Sequence, residues 1–245
     1  MHQVSRAFLN GTGRIISLHG VCPMKSLPIC CRPITAEERA AQLSTIRHWK
    51  VQGSLIKSRL LYLQMRHGIA TLKRILQNLD EADRAVLTKT VLLGEWYDLG
   101  VLVRLDAAIV EALGATTPDL PEALGAFSAE LNIGGTYDSL VHRDVDGFLQ
   151  LSAVVSPTFQ TFGSARYEPE NQTGPVRSGT VCLAYDLPPP SQYCQSGIGY
   201  FRRAVELCGG INPEVTVTGC RREGSPECRF RICWQPAGAS TVPMS

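Results

Sequence analysis

The chain has 245 residues, 44% of them hydrophobic and 19% charged, with a formal net charge of +2. This composition belongs to a globular protein able to bury a sizeable core. The near-neutral charge, with no run of Lys and Arg interleaved with aromatics, excludes a phosphate-binding footprint, so nucleic acid is not an expected partner. No apolar stretch reaches the roughly 18 to 20 residues that cross a bilayer, and a cytoplasmic location is the expectation.

Residues 1–36 carry Gly, Pro, Ser and Cys without sustained periodicity and read as a disordered extension, as 236–245 read as a flexible tail. Thr35 and Glu38 occupy the N-cap and capping-box positions of a first helix. Ile56, Leu60, Leu63 and Met65 predict a helix over 56–67 that stops at Gly68, followed by a shorter one over 69–79. Asp80 or Asp83 caps a helix over 82–93. The longest helix starts at Trp96 or Asp98 and ends at Leu113; being apolar on more than one face, it is expected at the centre of the fold. Asp119-Leu-Pro-Glu122 opens the next helix, which Gly134-Gly135 interrupts. The stretch 145–162 is amphipathic, with a kink at Pro157.

After Gly163 the period changes. Strands are predicted over 164–168 and 180–186, a helix over 192–207, and a hairpin from 215–219 and 228–234. The expected class is α+β: a helical N-terminal part packed on a small antiparallel sheet, β-β-α-β-β, at the C-terminal end, in a single domain over 37–235.

Nine cysteines is an odd count, and in a reducing compartment most stay thiols. Cys182, Cys208 and Cys233 sit among apolar neighbours and read as small core residues. Cys194 falls at a helix start, Cys220 at the end of a strand and Cys228 at the beginning of the next. That placement gathers three thiols at one end of the sheet, either as a soft-metal site or as packing groups. Trp96, Tyr97, Phe127, Phe148 and Phe159 are candidate walls of a ligand pocket, the alternative being a filled core. No Ser, His and acid set marks a nucleophile, so no catalytic residue is assigned.

Several motifs occur in a fixed order: Gln52-Gly-Ser-Leu-Ile-Lys-Ser-Arg-Leu60, Gly94-Glu-Trp-Tyr97, Arg104-Leu-Asp-Ala-Ala-Ile109, Leu124-Gly-Ala-Phe-Ser-Ala-Glu-Leu-Asn132, and the segment from Cys220 to Trp234. Over roughly residues 50 to 235 the chain resembles a myxobacterial paralogous family of unknown function. That family is similar to the 4-vinyl reductase domain and, through it, to the haem-NO-binding and Bet3-like folds. The resemblance implies an α+β small-molecule-binding fold that often dimerises, with no established enzymatic activity. It also implies zinc as a structural ion on Cys194, Cys220 and Cys228, although Val217 stands where aromatic-sensing relatives place a glutamate ligand. Glu214, Glu223 and Cys208 are the substitutes within reach in sequence. For haem, His142 is the histidine to test as an axial ligand. The Tyr-x-Ser-x-Arg signature is incomplete, since Tyr137-Asp-Ser-Leu is followed by Val141. The reading therefore goes against haem and makes His142 a surface or helix-end residue.

Two functions from different classes follow as expectations. One is a non-enzymatic sensory or regulatory module that binds an apolar small molecule and acts through a dimer mate or protein partner. The alternative is a scaffolding domain that binds a partner without a ligand. An enzyme ranks third, because kinship of fold does not transfer chemistry.

Overall fold

A computed structural model describes residues 35–117, 119–133 and 144–237. Residues 1–34 of the extension expected over 1–36, residues 238–245 of the tail expected over 236–245, Gly134-Gly135, Tyr137 and His142 lie outside these residues.

The helical part starts with α1 (Ala36–Thr45), where Thr35 accepts from the Glu38 N–H and Glu38 returns the bond to the Thr35 N–H, completing the capping box. The short strand β1 (Lys50–Gln52) leads directly into α2 (Gly53–Gln77). At Gly68 (φ 82°, ψ 161°) α2 breaks into two helical runs, in a region of backbone space open to glycine. Asp80 caps the short helix α3 (Glu81–Leu87) through the Asp83 N–H at 2.8 Å.

Trp96 and Tyr97 do not open the central helix. With Asp98 they form β2 (Trp96–Asp98), whose Tyr97 pairs with Val51 of β1, and α4 (Leu99–Leu113) starts only after it. Pairing with a strand more than forty residues earlier overrides the local helical pattern here. Leu99, Leu102, Leu105 and Ile109 of α4 are fully buried, which sets this helix in the core. The helices α5 (Leu120–Leu131) and α6 (Val145–Val155) follow, and a single turn of 3-10 helix at Ser156–Thr158 carries Pro157.

The sheet is antiparallel with strand order β3-β4-β6-β5, from β3 (Ser164–Asn171), β4 (Arg177–Ala184), β5 (Ile211–Gly219) and β6 (Cys228–Gln235). Helix α7 (Ser191–Leu207) connects the two hairpins and covers one face. The architecture is the α+β arrangement expected from the sequence. The other face of the sheet is charged: Arg166, Glu168, Glu227 and Arg229 form a continuous chain of ion pairs, with Arg231 on Glu170 beside them.

Two glycines decide how α7 meets α5. A Cβ on Gly125 would lie 1.8 Å from the Ser196 carbonyl oxygen, and one on Gly199 would lie 1.9 Å from that of Glu122. Only glycine permits backbones this close, and the contact brings the Ser128 and Ser196 side chains to one place.

Candidate functional site

Between the covered face of the sheet and the helices lies a cavity of about 460 Å³. Each element contributes one face at its own period. Gln52 comes from the end of β1, Leu55 and Arg59 from the start of α2, Ser128 from α5 and Asn132 from its C-cap, Phe148, Leu151 and Ser152 from α6, and Tyr193, Ser196, Gly197 and Tyr200 from α7. Ala165, Val181, Leu183 and Phe230 face it from the sheet. Phe159 and Gln160 close the rim after α6, held by the Gln52 N–H on the Phe159 carbonyl at 2.9 Å and the Thr161 N–H on the Lys50 carbonyl at 3.0 Å.

The phenols on this wall stay neutral. Burial pushes Tyr200 up to about 12 and raises Tyr193 and Tyr185 in the same direction. The Tyr193 hydroxyl donates to Gln160 Oε1 at 2.7 Å. Tyr185 and Tyr193 meet edge to face, and Phe162 stacks on Trp49 at 4.2 Å behind them.

One side of the cavity is polar. Arg59 is 3% exposed and donates through Nε to Asp106 Oδ1 at 2.9 Å, through Nη2 to Ser196 Oγ at 2.9 Å, and through Nη1 to Ser128 Oγ at 2.5 Å and the Leu124 carbonyl at 3.2 Å. Ser58 Oγ lies 2.7 Å from Ser128 Oγ. Asn132 stands one turn beyond Ser128, 7% exposed, and its Oδ1 has no hydrogen-bond partner among the described residues. Sequence reasoning missed this group, although a charged residue at position 59 inside the apolar spacing of Ile56, Leu60 and Leu63 is a readable anomaly.

Cys194, Cys220 and Cys228 are buried with their sulfur atoms within 4.8 Å of one another, in the first turn of α7, after β5 and at the start of β6. The Cys194 thiol pulls Cys228 down, yet Cys220 and burial outweigh it, and Cys228 is pushed up to about 11. Neither Glu214, Glu223 nor Cys208 joins the group, so the cluster offers three of the four ligands of a closed site. Cys194 also lines the cavity.

Of the five aromatic residues expected at a pocket, Phe148 and Phe159 line this cavity. Trp96 is 41% exposed on β2, and the Tyr97 hydroxyl accepts from the Leu92 N–H at 3.1 Å. Phe127 packs edge-on against Tyr62, at 5.6 Å between ring centres. Tyr97 and Phe127 belong to the packing of the helical part and Trp96 stays at the surface, because β2 pairs with β1 instead of extending α4, and Phe127 lies on a different face of α5 from Ser128.

The chain shares its fold with H-NOX proteins. An H-NOX protein from S. oneidensis in the Fe(II)NO ligation state has a TM-score of 0.56 at 11% identity, over 75% of this chain and 99% of that one. The unliganded Fe(II) H-NOX protein from K. algicida gives 0.55 at 12%, over 77% and 99%. A protein solved in work on modulating heme redox potential through protein-induced porphyrin distortion gives 0.54 at 12%, over 75% and 99%. No protein-family model matches the chain, and no curated protein matches it. The H-NOX neighbours overturn the expectation against haem, which rested on a missing signature, because the architecture itself is one that accompanies heme in these proteins. They lend no support to zinc.

Proposed function

We propose that this protein is a sensory small-molecule-binding module whose ligand occupies the cavity between α2, α5, α6, α7 and the sheet. The observation that carries the reading is the cavity itself: its volume of about 460 Å³ falls in the range of small-molecule sites, and its walls are apolar with a few convergent polar groups. A filled core at this position would have favoured the scaffolding alternative. The H-NOX-like fold supports the same class of function, and the ordered motifs support a further link to the myxobacterial paralogous family and the 4-vinyl reductase domain. We read the chain as a single cytoplasmic domain that signals through a dimer mate or a protein partner; among the described residues no helix is long and apolar enough to cross a membrane.

Haem is a candidate occupant on the strength of the fold. Among the described residues the lining has no imidazole; Tyr185, Tyr193, Tyr200 and Cys194 are its donors of a type that ligates iron. The lining cation, Arg59, is committed to Asp106. These residues do not make a proximal-histidine site, so no step is derived through haem.

Fluorescence titration with pyrene and absorbance titration with haemin test the reading, on the full chain and on the cavity-filling variant Leu151→Trp. Saturable one-to-one binding of either probe, weakened about tenfold or more by Leu151→Trp, is the expected result. A shift and sharpening of the haemin Soret band that saturates at one haemin per chain would assign the occupant as haem. Absence of saturable binding by both probes overturns the reading.

We also propose Cys194, Cys220 and Cys228 as thiol ligands for a soft metal ion, on their mutual approach alone. Elemental analysis of protein purified without chelators tests this, and a chain without bound metal makes them packing residues.

A further inference from the structure

Three phenols line the cavity, and the fold occupies two of them. The Tyr193 hydroxyl donates to Gln160 Oε1 at 2.7 Å, and Gln160 stands beside Tyr185 as well. Tyr200 differs. Its hydroxyl makes no hydrogen bond among the described residues, yet its oxygen is not one of the buried polar atoms sealed from solvent without a partner. The side chain is only partly buried and lines the cavity, so the hydroxyl stays within reach of a molecule that enters.

The period of α7 sets it there. Tyr193, Gly197 and Tyr200 stand at i, i+4 and i+7 on one face of the helix, and all three line the cavity. Gly197 has no side chain, so the helix itself puts nothing between the two phenols; a Cβ there would lie 3.1 Å from the Phe230 ring. A phenol is a better donor than an aliphatic hydroxyl because its proton is more acidic, and burial keeps that proton on Tyr200 at neutral pH.

Charge at the cavity wall is balanced. The Arg59 guanidinium spends its donors on Asp106, Ser196, Ser128 and the Leu124 carbonyl, and Asp106 offsets its charge at 2.9 Å. No unmatched cation lines the cavity among the described residues, and an anion placed there would lose its hydration without a partner. Phe148, Leu151, Val181 and Phe230 supply the apolar walls.

We propose that the cavity selects a neutral, largely apolar molecule with one hydrogen-bond acceptor, a ketone or aldehyde carbonyl, whose oxygen accepts from the Tyr200 hydroxyl. This inference rests on the ligand-binding reading above and names the chemistry of its ligand. Tyr200 is then a specificity residue: a hydrocarbon leaves its hydroxyl unpaired, and a carboxylate brings an acceptor together with an uncompensated charge.

The test uses three probes with one body, 1-ethylpyrene, 1-acetylpyrene and 1-pyrenecarboxylate, titrated into the full chain and followed by quenching of its tryptophan fluorescence. The ketone is expected to bind about tenfold tighter than the ethyl compound, with the carboxylate weaker than the ketone. Tyr200→Phe removes one oxygen and keeps the ring that meets Phe201 edge-on, so it should abolish the preference for the ketone and leave 1-ethylpyrene affinity within about twofold. The comparison of ketone with ethyl compound needs no variant, so it decides the matter even if Tyr200→Phe fails to fold. Binding of 1-ethylpyrene without preference for the ketone, a preference that survives Tyr200→Phe, or a carboxylate tighter than the ketone overturns the assignment and leaves the cavity reading in place. Failure of every probe to bind overturns both.

Discussion

Arg59 and Asp106 form an ion pair at 2.9 Å in which both side chains are less than a tenth exposed. Arg59 lies in the first half of α2 and Asp106 in α4, and the same guanidinium bonds Ser128 of α5 and Ser196 of α7. One cation therefore ties four helices together at the wall of the cavity. A buried pair adds little over a well-packed apolar pair, yet losing one member strands the other charge. Asp106→Leu or Arg59→Met alone is expected to destabilise the fold by about 3–5 kcal/mol, and the double variant by clearly less than the sum. Urea unfolding of the four proteins measures this; additive losses would show that the two charges do not depend on each other.

The approach of α5 to α7 yields a second expectation. In an ordinary helix Gly→Ala stabilises, by about 1 kcal/mol. At Gly125 the new methyl group meets the Ser196 backbone, which cannot swing aside, so the sign reverses. Gly125→Ala is expected to cost about 3 kcal/mol, the upper end of overpacking, and to weaken probe binding because Ser128 and Ser196 are pushed apart. Thermal melts and pyrene titration check both; an unchanged melting temperature would mean the helices pass farther apart than described.

Local sequence signals located most elements and little of the site. The Thr35 capping box, the break at Gly68 and the change of period after Gly163 are local, and they mark real boundaries. The short β2 was illegible because Trp96 and Tyr97 precede an apolar helical run and Asp98 resembles an N-cap, while the pairing that makes a strand lies in residues 50–52. The three thiols could be placed at one sheet end because consecutive strand ends are neighbours. The polar wall could not be assembled in this way, as Arg59 meets Asp106, Ser128 and Ser196 at separations of 47, 69 and 137 residues. Three of those four residues, with Asn132, lie within the ordered motifs that carry the family resemblance, where their spacing gives no hint that they converge.

Thiol chemistry gives a third expectation. Burial pushes Cys182 up to about 12 and Cys208 up to about 11, and Cys228 also stands at about 11, so at pH 8 on the order of one Cys228 in a thousand is thiolate. In a Cys22→Ser, Cys30→Ser, Cys31→Ser variant, the six remaining cysteines are all buried and none is in a disulfide. Their reaction with an aromatic disulfide reagent at pH 8 should run about a hundredfold slower, or more, in the folded chain than in urea. A fast-reacting thiol in the folded protein would contradict their burial.

The charged face of the sheet sets the acid response. The Arg166 guanidinium, followed by that of Arg229, holds the Glu227 carboxyl at about 2, below its ordinary 4.5, and Glu168 is lowered in the same direction by Arg229 and Arg166. With the folded value depressed, the unfolded chain takes up protons first as the solution is acidified. The contribution of these carboxylates is thus complete above about pH 5 and is lost as pH falls through the interval down to about 2. Glu227→Gln removes one titrating group and keeps the shape. The variant should be less stable than the parent at pH 7, and the two stability curves should converge toward pH 2, as urea unfolding across this range would show. Parallel curves would mean that Arg166 and Arg229 do not hold the Glu227 carboxylate in solution.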